Sequence, residues 1–187
     1  MRMVGGKWRG RALVAPKGNA TRPTTDRNRE ALFSMLTSRL DFDGLHVLDL
    51  FSGTGALGLE ALSRGAEFTL FVETEAQARA AIRKNIEVCA AMGVSKIFRR
   101  DATALGERQG APYDLVFADP PYGRGLAEKA LAALLAGDWL NANSLLIVEE
   151  DKRSGFVAPH GFVEIERRVK GDTELIFLAL VKTDFVR

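Results

Sequence analysis

An α/β fold of the Rossmann-like kind, a mostly parallel sheet flanked by helices, is what this sequence of 187 residues predicts. Three observations predict it. From about Leu45 onward, short apolar runs alternate with longer amphipathic stretches, the rhythm of repeated strand-helix units around a parallel sheet. The first of those runs ends in a glycine-rich turn, Asp49 to Gly58, that opens a helix. The last two runs flank a short turn and read as a β-hairpin, which would close the sheet antiparallel.

The elements follow in order. Asp26 to Leu40 carries Leu32, Phe33, Leu36 and Leu40 at helical spacing, with Asp26 available as N-cap. His46 to Leu50 (HVLDL) is a first strand and Ala56 to Ser63 its helix. Phe68 to Val72 (FTLFV) is a buried strand ending at Glu73, and Glu75 to Ala91, rich in Ala, Arg and Glu, is a helix. Lys96 to Arg99 is a short third strand ending near Asp101, and Asp114 to Ala118 (DLVFA) a fourth that runs into Asp119-Pro120-Pro121-Tyr122. Leu126 to Leu135 reads as a helix and Leu145 to Val148 as a fifth strand. Phe162 to Val169 and Glu174 to Val181 form the hairpin around Lys170 to Thr173, and the linker 151–161 is too short and too broken by Gly and Pro for a helix. Residues 1–25 read as a small hairpin or loosely ordered basic arm, and 26–187 as the α/β domain. No internal repeat or low-complexity tract is present.

Composition narrows the function. With 47% apolar residues the chain can fill one core, and no apolar run approaches the roughly eighteen residues of a membrane span. The basic N-terminus lacks the apolar stretch of a signal peptide, so a cytoplasmic protein with no membrane association is expected. One cysteine, Cys89, excludes an internal disulfide and reads as a small buried apolar residue; two histidines give no basis for a metal site, and none is expected. The net charge of +2 hides an asymmetry. Residues 1–29 hold eight Lys or Arg against the single acid Asp26, a balance of +7, which leaves −5 for the rest. A basic arm on a mildly acidic body points to a polyanion.

The turn Asp49-Leu50-Phe51-Ser52-Gly53-Thr54-Gly55-Ala56-Leu57-Gly58 places glycines where a strand bends sharply into a helix and a ligand can approach the backbone. Gly53, Gly55 and Gly58 satisfy the dinucleotide fingerprint, and Glu73 follows Gly53 by 20 residues, the position that grips a ribose. A nicotinamide enzyme is one reading. Two features favour S-adenosylmethionine: Asp49 stands inside the first strand, where it can orient the turn and help neutralise a methionine ammonium group, and Asp101 ends the third strand, where a carboxylate can accept from an adenine amino group. Glu73 has lone pairs enough for both ribose hydroxyls. Phe51, Thr54 and Ala102 complete the candidate cofactor set.

Asp119-Pro120-Pro121-Tyr122 carries the chemistry. An exocyclic base amino group is a poor nucleophile because its lone pair is delocalised into the ring. Hydrogen bonds from both its N–H groups, to the Asp119 side chain and to the carbonyl of Pro120, favour a pyramidal nitrogen aimed at a methyl donor. Pro120 and Pro121 fix φ and lack N–H donors, giving a rigid turn that presents carbonyls. Tyr122 offers a ring on which an extruded base can stack. Positioning and electrostatics would then do the catalysis, with no covalent enzyme intermediate.

With those residues in view, the chain resembles class I methyltransferases that act on amino groups, and more narrowly the bacterial 16S ribosomal RNA guanine-N(2) methyltransferases of the RsmD type. Gly5 to Arg11 (GGKWRGR), Arg22 to Arg27 (RPTTDR), Asp49 to Arg64 and Asp119 to Tyr122 carry the resemblance. It implies a seven-stranded sheet whose last strand is antiparallel, a guanine of the small-subunit 16S rRNA as target, and presentation on an assembled or partly assembled subunit. It further implies catalytic Asp119 to Tyr122, cofactor-binding Asp49, Gly53, Gly55, Glu73 and Asp101, and Arg22 to Thr25 near the active-site mouth. Ser52 stands where the family often has alanine, a small-for-small difference. RNA contacts fall to Lys7, Trp8, Arg9, Arg11, Arg22 and Arg27, whose cations meet phosphates while Trp8 supplies a stacking ring, in an enzyme acting as a monomer. A DNA adenine-N(6) methyltransferase is the rival of like chemistry, disfavoured because no segment is left for a target-recognition domain. A non-catalytic RNA-binding assembly factor is the rival of another class, disfavoured by the intact catalytic loop and glycine turn.

Overall fold

A computed structural model describes residues 1–15 and 26–181. The described residues contain helices α1 (Asp26–Thr37), α2 (Ala56–Ser63), α3 (Ala76–Val88) and α4 (Leu126–Ala136), and strands β1 (His46–Leu50), β2 (Phe68–Val72), β3 (Ser95–Phe98), β4 (Tyr113–Ala118), β5 (Leu140–Asp151), β6 (Phe162–Lys170) and β7 (Thr173–Leu180). The strands form a seven-stranded sheet in the order β3-β2-β1-β4-β5-β7-β6. The described residues fall into two compact units that divide between Arg100 and Asp101.

In the first unit β1, β2 and β3 pair in parallel, with His46 opposite Phe68 and Thr69 opposite Ser95. From its second residue on, every residue of β1 and of β2 is buried, the mark of strands covered on both faces. The α3 helix is amphipathic: Ala78, Ala81, Ile82, Asn85 and Ile86 form its buried stripe, and it ends at Val88, short of the expected Ala91, where Ala90 turns to a φ of 53°. Cys89 at its end is fully buried, in keeping with the packing role expected of it. Asp26, expected as an N-cap, is instead the first residue of α1, and its carboxylate accepts from the Arg2 N–H and the Arg29 guanidinium. The helix stops at Thr37, so Leu40 lies beyond it.

The α2 helix is short and buried on nearly all sides, including Glu60 and Ser63. Such polar residues would normally face water; here the N-terminal arm covers them. The Val4 N–H donates to Glu60 Oε2 (3.0 Å), the Trp8 N–H to Ser63 Oγ (2.9 Å), and Ser63 Oγ to the Gly5 carbonyl (2.7 Å). The arm folds back on itself through an antiparallel bridge between Arg2 and Ala12, with Met3 and Leu13 buried beneath. Gly6 explains part of the Gly5-Gly6-Lys7-Trp8 sequence: a Cβ there would lie 1.9 Å from the Ser63 carbonyl oxygen. Only glycine lets the arm backbone approach the helix so closely.

In the second unit β4 and β5 are parallel, and β7 pairs antiparallel with both β5 and β6. The C-terminal hairpin is therefore present, with its second strand against β5. The fifth strand is much longer than Leu145 to Val148 because it takes in the polar run Asn141 to Ser144, whose composition is that of a loop. Opposite Asp114 the register shifts, and those polar side chains stitch the irregularity: Asn141 donates to Asp114 (2.8 Å) and Ser144 to the Tyr113 carbonyl (2.7 Å). The α4 helix buries Ala127, Ala130, Leu131 and Leu134, a one-sided stripe. The linker 151–161 forms no helix, as expected.

Candidate active site

The first unit holds the glycine turn. Phe51, Gly53 and Gly55 all have positive φ (55°, 53° and 74°), which throws the chain from β1 directly into α2. Around Gly53 a Cβ would meet only the Phe51 carbonyl, at 3.9 Å, so the backbone there faces open space. Gly58 is the opposite case: a Cβ would lie 2.5 Å from the Phe71 ring, 2.6 Å from Thr69 Cγ2 and 3.1 Å from Asp49 Oδ2. Its role is close packing of helix on strand.

Asp49 is buried, and its Oδ2 accepts the Gly58 N–H at 3.0 Å. Burial pushes its pKa up to about 8 against the pull of that hydrogen bond, with the nearby Glu73 charge adding to the rise. Glu73 braces the turn: Oε2 accepts the Gly53 N–H (2.9 Å) and Oε1 the Glu75 N–H (2.8 Å), leaving each oxygen a further lone pair. Ser52, whose difference from alanine looks slight in the sequence, ties the turn together. Its hydroxyl faces the Asp49 and Val72 carbonyls and its N–H donates to Val72. Thr54 is held from the other side by Asn85, whose Nδ2 donates to its carbonyl at 2.9 Å. Sequence reasoning misses Asn85, although an asparagine within the apolar stripe of a helix is a signal in itself.

Asp101 and Ala102 begin the second unit. Ala102 is buried, while Asp101 is exposed and accepts the Thr103 N–H (2.8 Å) and hydroxyl (2.7 Å), bonds that hold its carboxyl below the usual range. Further along, β4 ends at Ala118 and Asp119 follows it directly, with Pro120 buried and Pro121 and Tyr122 exposed. Two acids at the end of β5, which sequence reasoning does not single out, anchor this loop. The Tyr122 phenol donates to Glu149 Oε1 (2.9 Å), and the Gly123 N–H donates to Glu150 Oε2 (3.3 Å). Burial raises both carboxyls, and burial together with Asp119 and Glu149 raises the phenol. A signal existed: acids follow β2 and β3 as well, and Glu149-Glu150 repeats that pattern after the apolar run of β5.

The candidate RNA-binding residues differ in availability. Lys7, Arg9 and Arg27 are exposed. Trp8 is half-buried with the Lys7 ammonium 4.7 Å from its ring, and the exposed Arg11 already donates to the Val88 carbonyl at the end of α3 (2.6 Å). Arg22 lies outside the described residues, as do Pro23, Thr24 and Thr25.

Comparison with known proteins gives consistent matches. The family model described as conserved hypothetical protein 95 matches residues 1–179. Ribosomal RNA small subunit methyltransferase D of Escherichia coli (strain K12) is 38% identical over 155 residues, 83% of this chain and 77% of that protein. Its namesake from Haemophilus influenzae is 33% identical over 174 residues, 91% and 89% of the two chains. The solved structure of yhhF from Escherichia coli superposes with a TM-score of 0.84 at 32% identity, covering 96% of this chain and 97% of that one.

Proposed function

Since this chain belongs to the conserved hypothetical protein 95 family, the family of the RsmD-type small-subunit ribosomal RNA methyltransferases, we propose that it methylates the exocyclic N(2) amino group of a guanine in 16S ribosomal RNA. The observation that carries the reading is the Asp119 to Tyr122 loop, which leaves a buried strand and is anchored by Glu149 and Glu150. Small-subunit rRNA as substrate rests on the relatives; an assembled or partly assembled subunit, met by a monomer, is the finer part of the proposal.

The turn fits a nucleoside cofactor of the S-adenosylmethionine type. Gly53 opens onto free space, Asp49 is a buried carboxyl that a cationic ammonium would hold ionised, and Glu73 retains lone pairs for ribose hydroxyls. When bound, that cofactor supplies an electrophilic methyl group. The chain's own residues do the rest. Asp119 and the Pro120 carbonyl accept the two N–H groups of the amine and aim its lone pair, the Tyr122 ring stacks on the extruded base, and Glu149 fixes that ring through its hydroxyl. Lys7 and Arg9, with Arg22 and Arg27, hold phosphates. No step requires a metal.

The test is transfer of labelled methyl from S-adenosylmethionine to unmodified small subunits, naked ribosomal RNA and DNA in parallel, with nucleoside analysis of the product. N(2)-methylguanosine, strongest on subunits, is expected; methyladenine in DNA would overturn the reading. Asp119→Ala should abolish transfer while cofactor affinity stays within about twofold, since the residue stabilises the transition state rather than the ground-state complex.

A further inference from the structure

We propose that Asn85 is a positioning residue that couples the N-terminal arm to the glycine turn, so that RNA on the arm and cofactor in the turn strengthen each other's binding. The inference rests on the methyltransferase reading above. Asn85 is fully buried, an unfavourable place for a polar side chain that competes with helix formation. Both ends of its amide are in use. Oδ1 accepts the Val14 N–H at 2.7 Å, and Nδ2 donates to the Val14 carbonyl at 3.0 Å and to the Thr54 carbonyl at 2.9 Å. One side chain thus holds the arm, as a neighbouring strand would, and with the same nitrogen grips the residue between Gly53 and Gly55.

Two further ties run alongside. The Thr54 hydroxyl lies 3.9 Å from the Met1 sulfur, and Arg11 donates to the Val88 carbonyl on the same helix as Asn85. Lys7 and Arg9 take part in none of these ties and remain exposed for phosphates. Coupling through this element works by two states. With the clasp closed, arm and turn share one amide; with it open, the Thr54 carbonyl and the Val14 peptide lose their partner. RNA that holds the arm in place favours the closed state, and so does a cofactor that orders the turn. Linkage then requires each ligand to raise the affinity of the other by the same factor.

Calorimetric titration with S-adenosylhomocysteine, with and without an unmodified small-subunit ribosomal RNA transcript, measures that factor. In the native chain the nucleoside should bind about 5-fold or more tightly in the presence of RNA. In Asn85→Ala the factor should fall to about one while each ligand still binds alone. Should a thermal melt find that variant unfolded, Val14→Pro, which deletes one N–H and leaves Asn85 in place, should at least halve the factor. An undiminished factor in a folded variant overturns the proposal, as does a native factor of one when both ligands bind. A native chain that fails to bind S-adenosylhomocysteine by itself overturns the methyltransferase reading, a separate and recognisable result.

Discussion

Replacing Gly58 by alanine sets two effects of known size against each other. Gly58 is the third residue of α2, and in a helix alanine is favoured over glycine by roughly 1 kcal/mol. A helix free of its neighbours would be stabilised by the change. The added Cβ, however, would stand 2.5 Å from the Phe71 ring and 2.6 Å from Thr69 Cγ2, both fully buried side chains of β2. Overpacking of this kind usually costs about 1–3 kcal/mol, and two simultaneous clashes on one strand put this site toward the upper end. The net expectation is a loss of about 1–2 kcal/mol, which for a chain of this size lowers the melting temperature by about 2–8 °C. Because the same Cβ presses on Asp49 Oδ2 at 3.1 Å, affinity for S-adenosylhomocysteine should fall with stability. Urea denaturation at fixed pH and a nucleoside titration measure the two quantities. A Gly58→Ala protein as stable as the native one, or more so, would refute the close-packing role and show that α2 can lift off β2 at little cost.

Asp49→Asn should flatten a pH dependence. Burial raises the Asp49 pKa to about 8 from an ordinary 3.8, so between those values the folded chain binds more protons than the unfolded one. Its contribution to stability is complete below about pH 4 and is lost as pH rises through about 8; urea midpoints of native and variant chains between pH 5 and 9 should diverge, and parallel curves would contradict the assignment. Ser52→Ala removes the hydroxyl that ties the turn to the Asp49 and Val72 carbonyls and should cost about 1 kcal/mol in the same assay; no loss would mean that the Ser52 N–H bond to Val72 holds the turn unaided. Neutralising Lys7 and Arg9 together should weaken RNA binding and lower the slope of log affinity against log salt by about 1 for each phosphate that the arm no longer neutralises. An unchanged slope would remove the arm from the interface.

Most elements are legible because burial on both faces leaves unmistakable apolar runs: β1, α2 and β2 have the boundaries read from HVLDL, ALGLEALS and FTLFV. The fifth strand reads short because Asn141 to Ser144 have loop composition, and the opposing Tyr113 and Asp114, far off in the sequence, give the Ser144 and Asn141 side chains partners across the sheet. The candidate site divides the same way. Glycines at a strand-helix turn and Asp-Pro-Pro-Tyr after a strand announce themselves locally. Ser52, Asn85, Glu149 and Glu150 do not, since each acts on a partner between 20 and 71 residues away that only the fold brings near. The arm is the clearest instance: its charge is plain in the sequence, yet nothing in residues 1–15 alone states that Glu60 and Ser63 lie beneath them.

That arrangement has a consequence for the order of events during synthesis. The Val14 peptide docks on a side chain 71 residues further along the chain, and the Trp8 N–H on one 55 residues further. At the usual elongation rate of about 5–20 residues per second, those partners are made roughly 3–14 s after the arm. The most basic segment of this sequence is thus made several seconds before the side chains that seat it, and in that interval its backbone lacks these partners.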